Sequence, residues 1–199
     1  MVDAESITRM HAERTQGWHL DVPEPQCVGL LALATMQHRA NFDLWHEEDK
    51  ARDTQVADTE IARVKHAIDG LNQRRNDLVE QMDEWLLREF GVQNGAAPLH
   101  SETPGLMIDR LSILALKIFH TEEESVRASA SDEHRQRNQR RLALLVEQRD
   151  DLAGCLDSLL RGVRQGERRF KLYRQLKMYN DPELNPVLYG QMTGGRSGS

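Results

Sequence analysis

Apolar residues recur along this chain at alternating three- and four-residue steps, the period of one face of an α-helix. The clearest run is Ile61, Val64, Ile68, Leu71, Leu78, Met82 and Trp85, with Arg75 standing where one apolar residue is missing. Asp58 and Thr59 offer N-terminal caps, Glu60 suits the positive end of the helix dipole, and Gly91 supplies the end. The run predicts a helix of about 30 residues, roughly 45 Å long. Leu30, Leu33, Ala34, Phe42, Leu44 and Trp45 predict an earlier helix from Gln26 to about Arg52, stopping near Asp53-Thr54. Met107, Leu111, Leu114 and Ile118 predict a third, entered through a Thr103 cap with Pro104 at its first position and reaching about Val126. Leu142, Leu145, Leu152, Leu156, Leu159 and Val163 predict a fourth, with Arg149 in its empty seam place. A capping box at Ser129-x-x-Asp132 would open that helix, and it would run past Gly162 and Gly166 to about Met178.

These elements predict an all-α fold: an elongated bundle of four long helices, mainly up-and-down, with a short N-terminal helix over residues 3–15 and an irregular C-terminal tail. A seam spacing near 3.5 residues implies left-handed packing at crossing angles of about 20°. The expected division is an N-terminal arm (1–25), the bundle (26–179) and the tail (180–199). Gly91 to Glu102 holds two glycines and a proline, and a connection of this length is expected to be a mobile cover. Glu102 would then sit at the N-terminal end of the third helix, where it either caps the helix or makes way for an anion.

Composition agrees with a bundle. The 199 residues fit one domain, and a hydrophobic share of 39% against 29% charged suits long helices with much solvated surface. The N-terminus lacks a signal peptide's apolar block, and no window approaches the roughly 18 to 20 apolar residues that cross a bilayer. The expectation is a soluble, cytoplasmic protein without a membrane span. Cys27 and Cys155 have no paired spacing and are expected to be buried, reduced thiols. The net charge of −6 is uneven: residues 135–177 carry 12 Lys and Arg against 5 Asp and Glu, a surplus of 7, which leaves −13 elsewhere. A basic last helix docking on an acidic body is the expected reason. Aromatic platforms are scarce in that region, which disfavours nucleic acid as a partner.

Polar residues that keep the helical period carry the candidate chemistry. His38, Asn41, Glu48 and Arg52 share a face of the first long helix, with Asp49 beside it. Lys65, Asp69, Asn72 and Asn76 flank the seam of the second, in which Arg75 lies; Asp109, Arg110, Lys117 and His120 flank that of the third. Such groups must be solvated or paired, and their mixture of imidazoles, carboxylates, amides and guanidinium groups is that of a polar pocket between helices, closed by Glu102. Within the bundle Arg75 should meet a carboxylate, with Asp109, Glu48 and Glu102 as candidates. Glu48, Asp49, Asp69 and Asp109 are the set that could hold a magnesium ion, the cofactor such oxygen ligands would take. No catalytic residue is assigned: the chain has no Gly-rich phosphate loop, no zinc-ligand spacing and no nucleophile elbow.

Three runs carry a family resemblance: His38-Arg-Ala-Asn-Phe-Asp-Leu-Trp-His-Glu-Glu-Asp-Lys-Ala-Arg52, Ile68-Asp-Gly-Leu-Asn-Gln-Arg-Arg-Asn-Asp-Leu-Val-Glu80, and Glu102-Thr-Pro-Gly-Leu-Met-Ile-Asp-Arg-Leu-Ser-Ile-Leu-Ala-Leu-Lys117. Together with Tyr179-Asn-Asp-Pro and Leu184-Asn-Pro they resemble the bacterial domain-of-unknown-function family 4254 over about residues 28–189. The resemblance implies a helical protein often encoded near glycosyltransferases, hence a role in cell-surface polysaccharide assembly, as an accessory protein or small enzyme, with a sugar or phosphate ligand and a glycosyltransferase partner. Two other readings stand beside it. One is a non-catalytic helical interaction or scaffold protein, for which a homo-oligomer is compatible. The other is a magnesium-dependent nucleotide pyrophosphohydrolase, whose spacing of acidic residues Asp77-Leu-Val-Glu80 and Glu80-Gln-Met-Asp83 loosely resemble.

Overall fold

A computed structural model describes residues 2–52 and 57–174. Five helices carry the fold: α1 (Ala4–His19), α2 (Gly29–Ala51), α3 (Asp58–Phe90), α4 (Pro104–Val126) and α5 (Asp132–Arg164). No strand forms among the described residues; the one extended pairing is an isolated bridge between Leu99 and Arg169. α2 lies along α3 and α4 along α5, giving two helical hairpins, and α1 packs on α4, α2 and α5. Gly29 at the start of α2 meets the Trp85 ring near the end of α3, so that pair is antiparallel. Among the described residues no helix is long and apolar enough to cross a membrane.

The seam positions build the core. Val79, Met82 and Leu86 of α3, Met107, Ile108 and Leu111 of α4, and Leu152, Leu156, Leu159, Leu160 and Val163 of α5 form one buried cluster with Leu30 and Ala34 of α2. α1 belongs to it too, through Ala4, Ile7 and Met10, so this segment is a core helix and not only an arm. Its start is fixed twice. Asp3 and Ser6 form a capping box, and the Ala4 N–H donates to the Asp157 carboxylate of α5 at 2.9 Å. The chain after α1 is folded back upon it, with Trp18 Nε1 donating to Glu24 and Arg14 to the Pro25 carbonyl.

Several helix ends differ from expectation. The N-cap of α3 is Ala57, ahead of Asp58 and Thr59. That of α5 is Ser131, whose hydroxyl accepts from the His134 N–H, in place of the Ser129–Asp132 box. α5 stops at Arg164 because the chain turns at Gly166, whose φ of +71° glycine adopts without strain. The expected continuation to Met178 meets this turn first, and its last residues, like the expected tail 180–199, lie outside the described residues. Thr103 caps α4, its hydroxyl accepting from the Leu106 N–H.

The connection between α3 and α4 is a tied structural loop and not a free cover. Gln93 exchanges two hydrogen bonds with the backbone of Phe170, and Asn94 donates to the Gly166 carbonyl. The His100 N–H donates to the Arg169 carbonyl at 2.7 Å, and Ala97 is buried. Among the described residues much of the basic surplus is paired locally and not docked as expected: Arg135 pairs with Asp132 and Arg149 with Asp150 in their own helix, while Arg174–Glu84, 3.6 Å apart, ties the surplus to α3. Cys155 is exposed and Cys27 half-buried, contrary to two buried thiols.

Candidate functional site

The middle of the bundle, where a polar pocket was expected, is filled by a hydrogen-bonded network from four helices. Its anchor is Asp109 of α4, buried with 4% of its surface exposed. Arg75 of α3 grips it with both sides of the guanidinium, Nε to Oδ1 and Nη2 to Oδ2, each 2.8 Å. Gln37 and Asn41 of α2 donate to the same Oδ1 at 2.5 and 3.0 Å. A buried carboxylate needs this many donors, because desolvation otherwise costs several kcal/mol per ion, on the order of the penalty for breaking a buried pair.

From Asp109 the network runs on through neutral groups. Asn41 Nδ2 also donates to Ser112 Oγ at 2.9 Å, and Ser112 Oγ lies 2.7 Å from His38 Nδ1. His38 Nε2 lies 3.0 Å from the His11 carbonyl and 2.9 Å from Thr15 Oγ1. A carbonyl only accepts, so Nε2 carries the proton and Nδ1 accepts from Ser112. Burial holds His38 down to about 3, and it holds His11, whose ring centroid is 4.5 Å from that of His38, well below the ordinary histidine value. Both imidazoles are therefore neutral in the fold. Both ring nitrogens of His11 are buried without a partner, as is Gln37 Oε1.

A second buried carboxylate, Asp83 of α3, sits at the N-terminal end of α4 and accepts from the Gly105 N–H at 2.7 Å. Burial pushes it up to about 6, against the lowering effect of the Thr103 and Gly105 hydrogen bonds. Gly105 is required there: a Cβ would stand 2.6 Å from the Val79 carbonyl oxygen.

The residues singled out in the sequence separate into five places. His38, Asn41, Arg75 and Asp109 meet in the buried network. Glu48, Asp49 and Arg52 lie at the end of α2, where Arg52 pairs with Asp49 at 2.9 Å and Glu48 at 3.7 Å. Lys65 and Asp69 are exposed on α3, with Asn72 and Asn76 half-buried further along it. Glu102, Arg110 and Lys117 line a groove of about 620 Å³ between α4 and α5, with His100, Gln148 and Asp151 opposite and Met107, Ile113, Leu114 and Leu152 as its apolar wall. Both carboxylate oxygens of Glu102 hold Arg110 at 2.9 Å, so Glu102 neither caps α4 nor stands free. His120 lies apart, stacked on Trp45. Glu48, Asp49, Asp69 and Asp109 do not converge; among the described residues the one group with metal-ligand spacing is His19, His46 and His120. Sequence reasoning passed over Gln37, Ser112, Thr15 and His11, although the four-residue step from His11 to Thr15 to His19 was a signal that α1 presents a polar face to the bundle.

No curated protein and no solved structure matches the chain. A family model described as "Protein of unknown function (DUF4254)" matches residues 31–172, nearly all of α2 through the segment after α5, and ends short of the expected residue 189. α1 lies outside the matched region while contributing Thr15 and the His11 carbonyl to the network. The match covers more than half of the sequence, and the chain belongs to the DUF4254 family.

Proposed function

We propose that the protein binds a phosphorylated sugar in the groove between α4 and α5, in the service of cell-surface glycan assembly. One observation carries the reading: Arg110 and Lys117, two turns apart on α4, line the same groove and face Gln148 and Asp151 of α5 over an apolar wall. Two cations suit a phosphoryl group, and an amide with a carboxylate suits sugar hydroxyls, which both donate and accept. The cavity volume falls within the roughly 300 to 1,000 Å³ of small-molecule sites. Glu102 holds Arg110 in place, so the guanidinium is presented at little further entropic cost. The glycan context rests on the family resemblance.

The other two readings draw less support from the geometry. A scaffold needs a contiguous apolar patch; Leu20, Val22 and Val28 are exposed on the one segment after α1, whereas Val92, Val126 and Leu144 stand on separate elements. A magnesium-dependent pyrophosphohydrolase needs converging carboxylates, and the nearest candidates, Glu48 and Asp49, are paired to Arg52. The test is calorimetric titration with hexose phosphates and nucleotide sugars, beside inorganic phosphate. The expected result is saturable binding of at least one phosphosugar, weakened about tenfold or more by Lys117→Glu. Binding no tighter than that of phosphate, or binding indifferent to Lys117→Glu, overturns the reading.

A further inference from the structure

Away from the groove, towards the C-terminal end of α4, three histidines from three helices converge: His19 at the end of α1, His46 of α2 and His120 of α4. One ring nitrogen from each lies within 4.8 Å of those of the other two. We infer that this cluster is a binding site for a borderline divalent metal ion of the Zn²⁺ class, held by three imidazoles with a coordination position left open. The inference does not rest on the phosphosugar reading of the groove.

Hydrogen bonds fix how each ring presents itself. His19 Nδ1 faces the Thr15 carbonyl at 2.7 Å, and His46 Nδ1 faces the Phe42 carbonyl at 2.8 Å. His120 Nδ1 faces the Glu123 carboxylate at 2.9 Å. Carbonyl and carboxylate oxygens only accept here, so all three Nδ1 atoms carry hydrogen and Nε2 is the free nitrogen of each ring. This is the arrangement of metal-ligating histidines, in which the second ring nitrogen donates to a carbonyl or carboxylate and thereby sets tautomer and orientation. His120 Nε2 is buried with no partner, an unmet acceptor that needs an occupant.

Three imidazoles whose ring nitrogens stand within 4.8 Å of one another offer their lone pairs to a positive occupant. A water molecule carries two hydrogens and leaves the third acceptor unmet. A metal ion satisfies all three. Bonds of about 2.0 to 2.1 Å in tetrahedral geometry place nitrogens about 3.4 Å apart, so the rings need only close inwards by small side-chain rotations. Packing holds them near that pose. Phe119 stacks on His19 with centroids 4.5 Å apart, Trp45 stacks on His120 at 4.9 Å, and Phe42 lies edge-on to His19. All three histidines are half-buried, which leaves room for a further ligand from solvent. The donor set decides the class of metal: imidazoles without a carboxylate in the first shell suit Zn²⁺, Co²⁺, Ni²⁺ or Cu²⁺ and poorly suit Mg²⁺ or Ca²⁺.

The test is a titration of the full chain, free of any polyhistidine tag and stripped with EDTA, with Co²⁺ followed by visible absorption near neutral pH. The expected result is one equivalent bound, with ligand-field bands of tetrahedral intensity that Zn²⁺ abolishes. His19→Ala, His46→Ala and His120→Ala should each weaken Zn²⁺ binding about 100-fold or more, since even outer-shell partners change affinity by 10 to 100-fold. His66→Ala, at an exposed position on α3, should leave it unchanged. Absence of the bands at stoichiometric Co²⁺, bands that survive His46→Ala, or equal loss on His66→Ala overturns the proposal. The wild-type spectrum decides on its own should a variant fail to fold.

Discussion

Arg75 and Asp109, 34 residues apart in sequence, meet through two parallel hydrogen bonds of 2.8 Å between the middle of α3 and the first turns of α4. The pair is unequal: the Arg75 side chain keeps 25% of its surface in solvent, and that of Asp109 keeps 6%. The carboxylate is therefore the member that cannot be left alone. Arg75→Met should destabilise the protein by about 3 to 5 kcal/mol, the usual cost of stranding a buried charge. Chemical denaturation of both proteins measures this. A loss below about 1 kcal/mol would mean that Gln37 and Asn41 satisfy Asp109 unaided.

Three buried titratable groups set the acid response, and they do not share a sign. His38 and His11 are held neutral in the fold, while the unfolded chain takes up protons below the ordinary 6.5. Their contribution is present above pH 6.5 and is lost as the pH falls towards 3. Asp83, pushed up from 3.8 to about 6, keeps its proton where the unfolded chain releases it. Its contribution is full below pH 3.8 and is lost as the pH rises through 6. Two histidines outweigh one aspartate, so Tm should fall on acidification from neutral pH towards 4. Asp83→Asn should steepen the fall and His11→Leu should flatten it, both read by circular dichroism melts across pH. A Tm that rises on acidification would show that Asp83 prevails.

Two glycines should respond in opposite directions. Gly105→Ala drives a methyl group into the Val79 carbonyl and the Asp83 carboxyl carbon, 2.6 and 2.9 Å from the ideal Cβ. Helix α4 must shift away from α3, and the loss should exceed about 2 kcal/mol. Gly70 in the interior of α3 has nothing within 4 Å of the same position. Gly70→Ala should stabilise by about 0.5 to 1 kcal/mol through helix propensity. Thermal melts of the two variants check both signs.

The loop 91–102 should resist hydrogen exchange in the free protein. The His100 and Phe170 N–H groups, donating to the Arg169 carbonyl and the Gln93 side chain, should exchange far more slowly than random-coil amides. Exchange at coil rates throughout the loop would restore the mobile cover that its glycines suggest.

The same loop shows what the sequence held back. Helix periodicity and caps are local, and they placed α3, the Thr103–Pro104 entry of α4 and the partnership of Arg75 with Asp109 within reach of a one-dimensional reading. The ties of Gln93 and Asn94 reach 77 and 72 residues along the chain, and no local pattern announces them. Ser112, Thr15 and Gln37 escaped for another reason. Small neutral side chains raise no alarm in a sequence, yet they are what continues a hydrogen-bonded network once a carboxylate and an imidazole are buried. Asp69, Lys65 and Glu48 kept the helical period equally well but fell on solvated faces, because period fixes a face and not what lies opposite it.

α1 gives the network its outer end, since it brings the His11 carbonyl, the Thr15 hydroxyl and the Trp18 ring against His38. The family-matched region begins after it, at residue 31. Helix α1 thus acts towards the rest of the fold as a tethered ligand does towards its receptor. Residues 20–28 form the leash, and a short leash keeps such a ligand at an effective concentration of about millimolar or above. Undocking it would wet His38, hand that ring back its capacity to take up protons, and uncouple His19 from the two imidazoles it faces. The outer half of this bundle's polar interior thus depends on α1 staying docked.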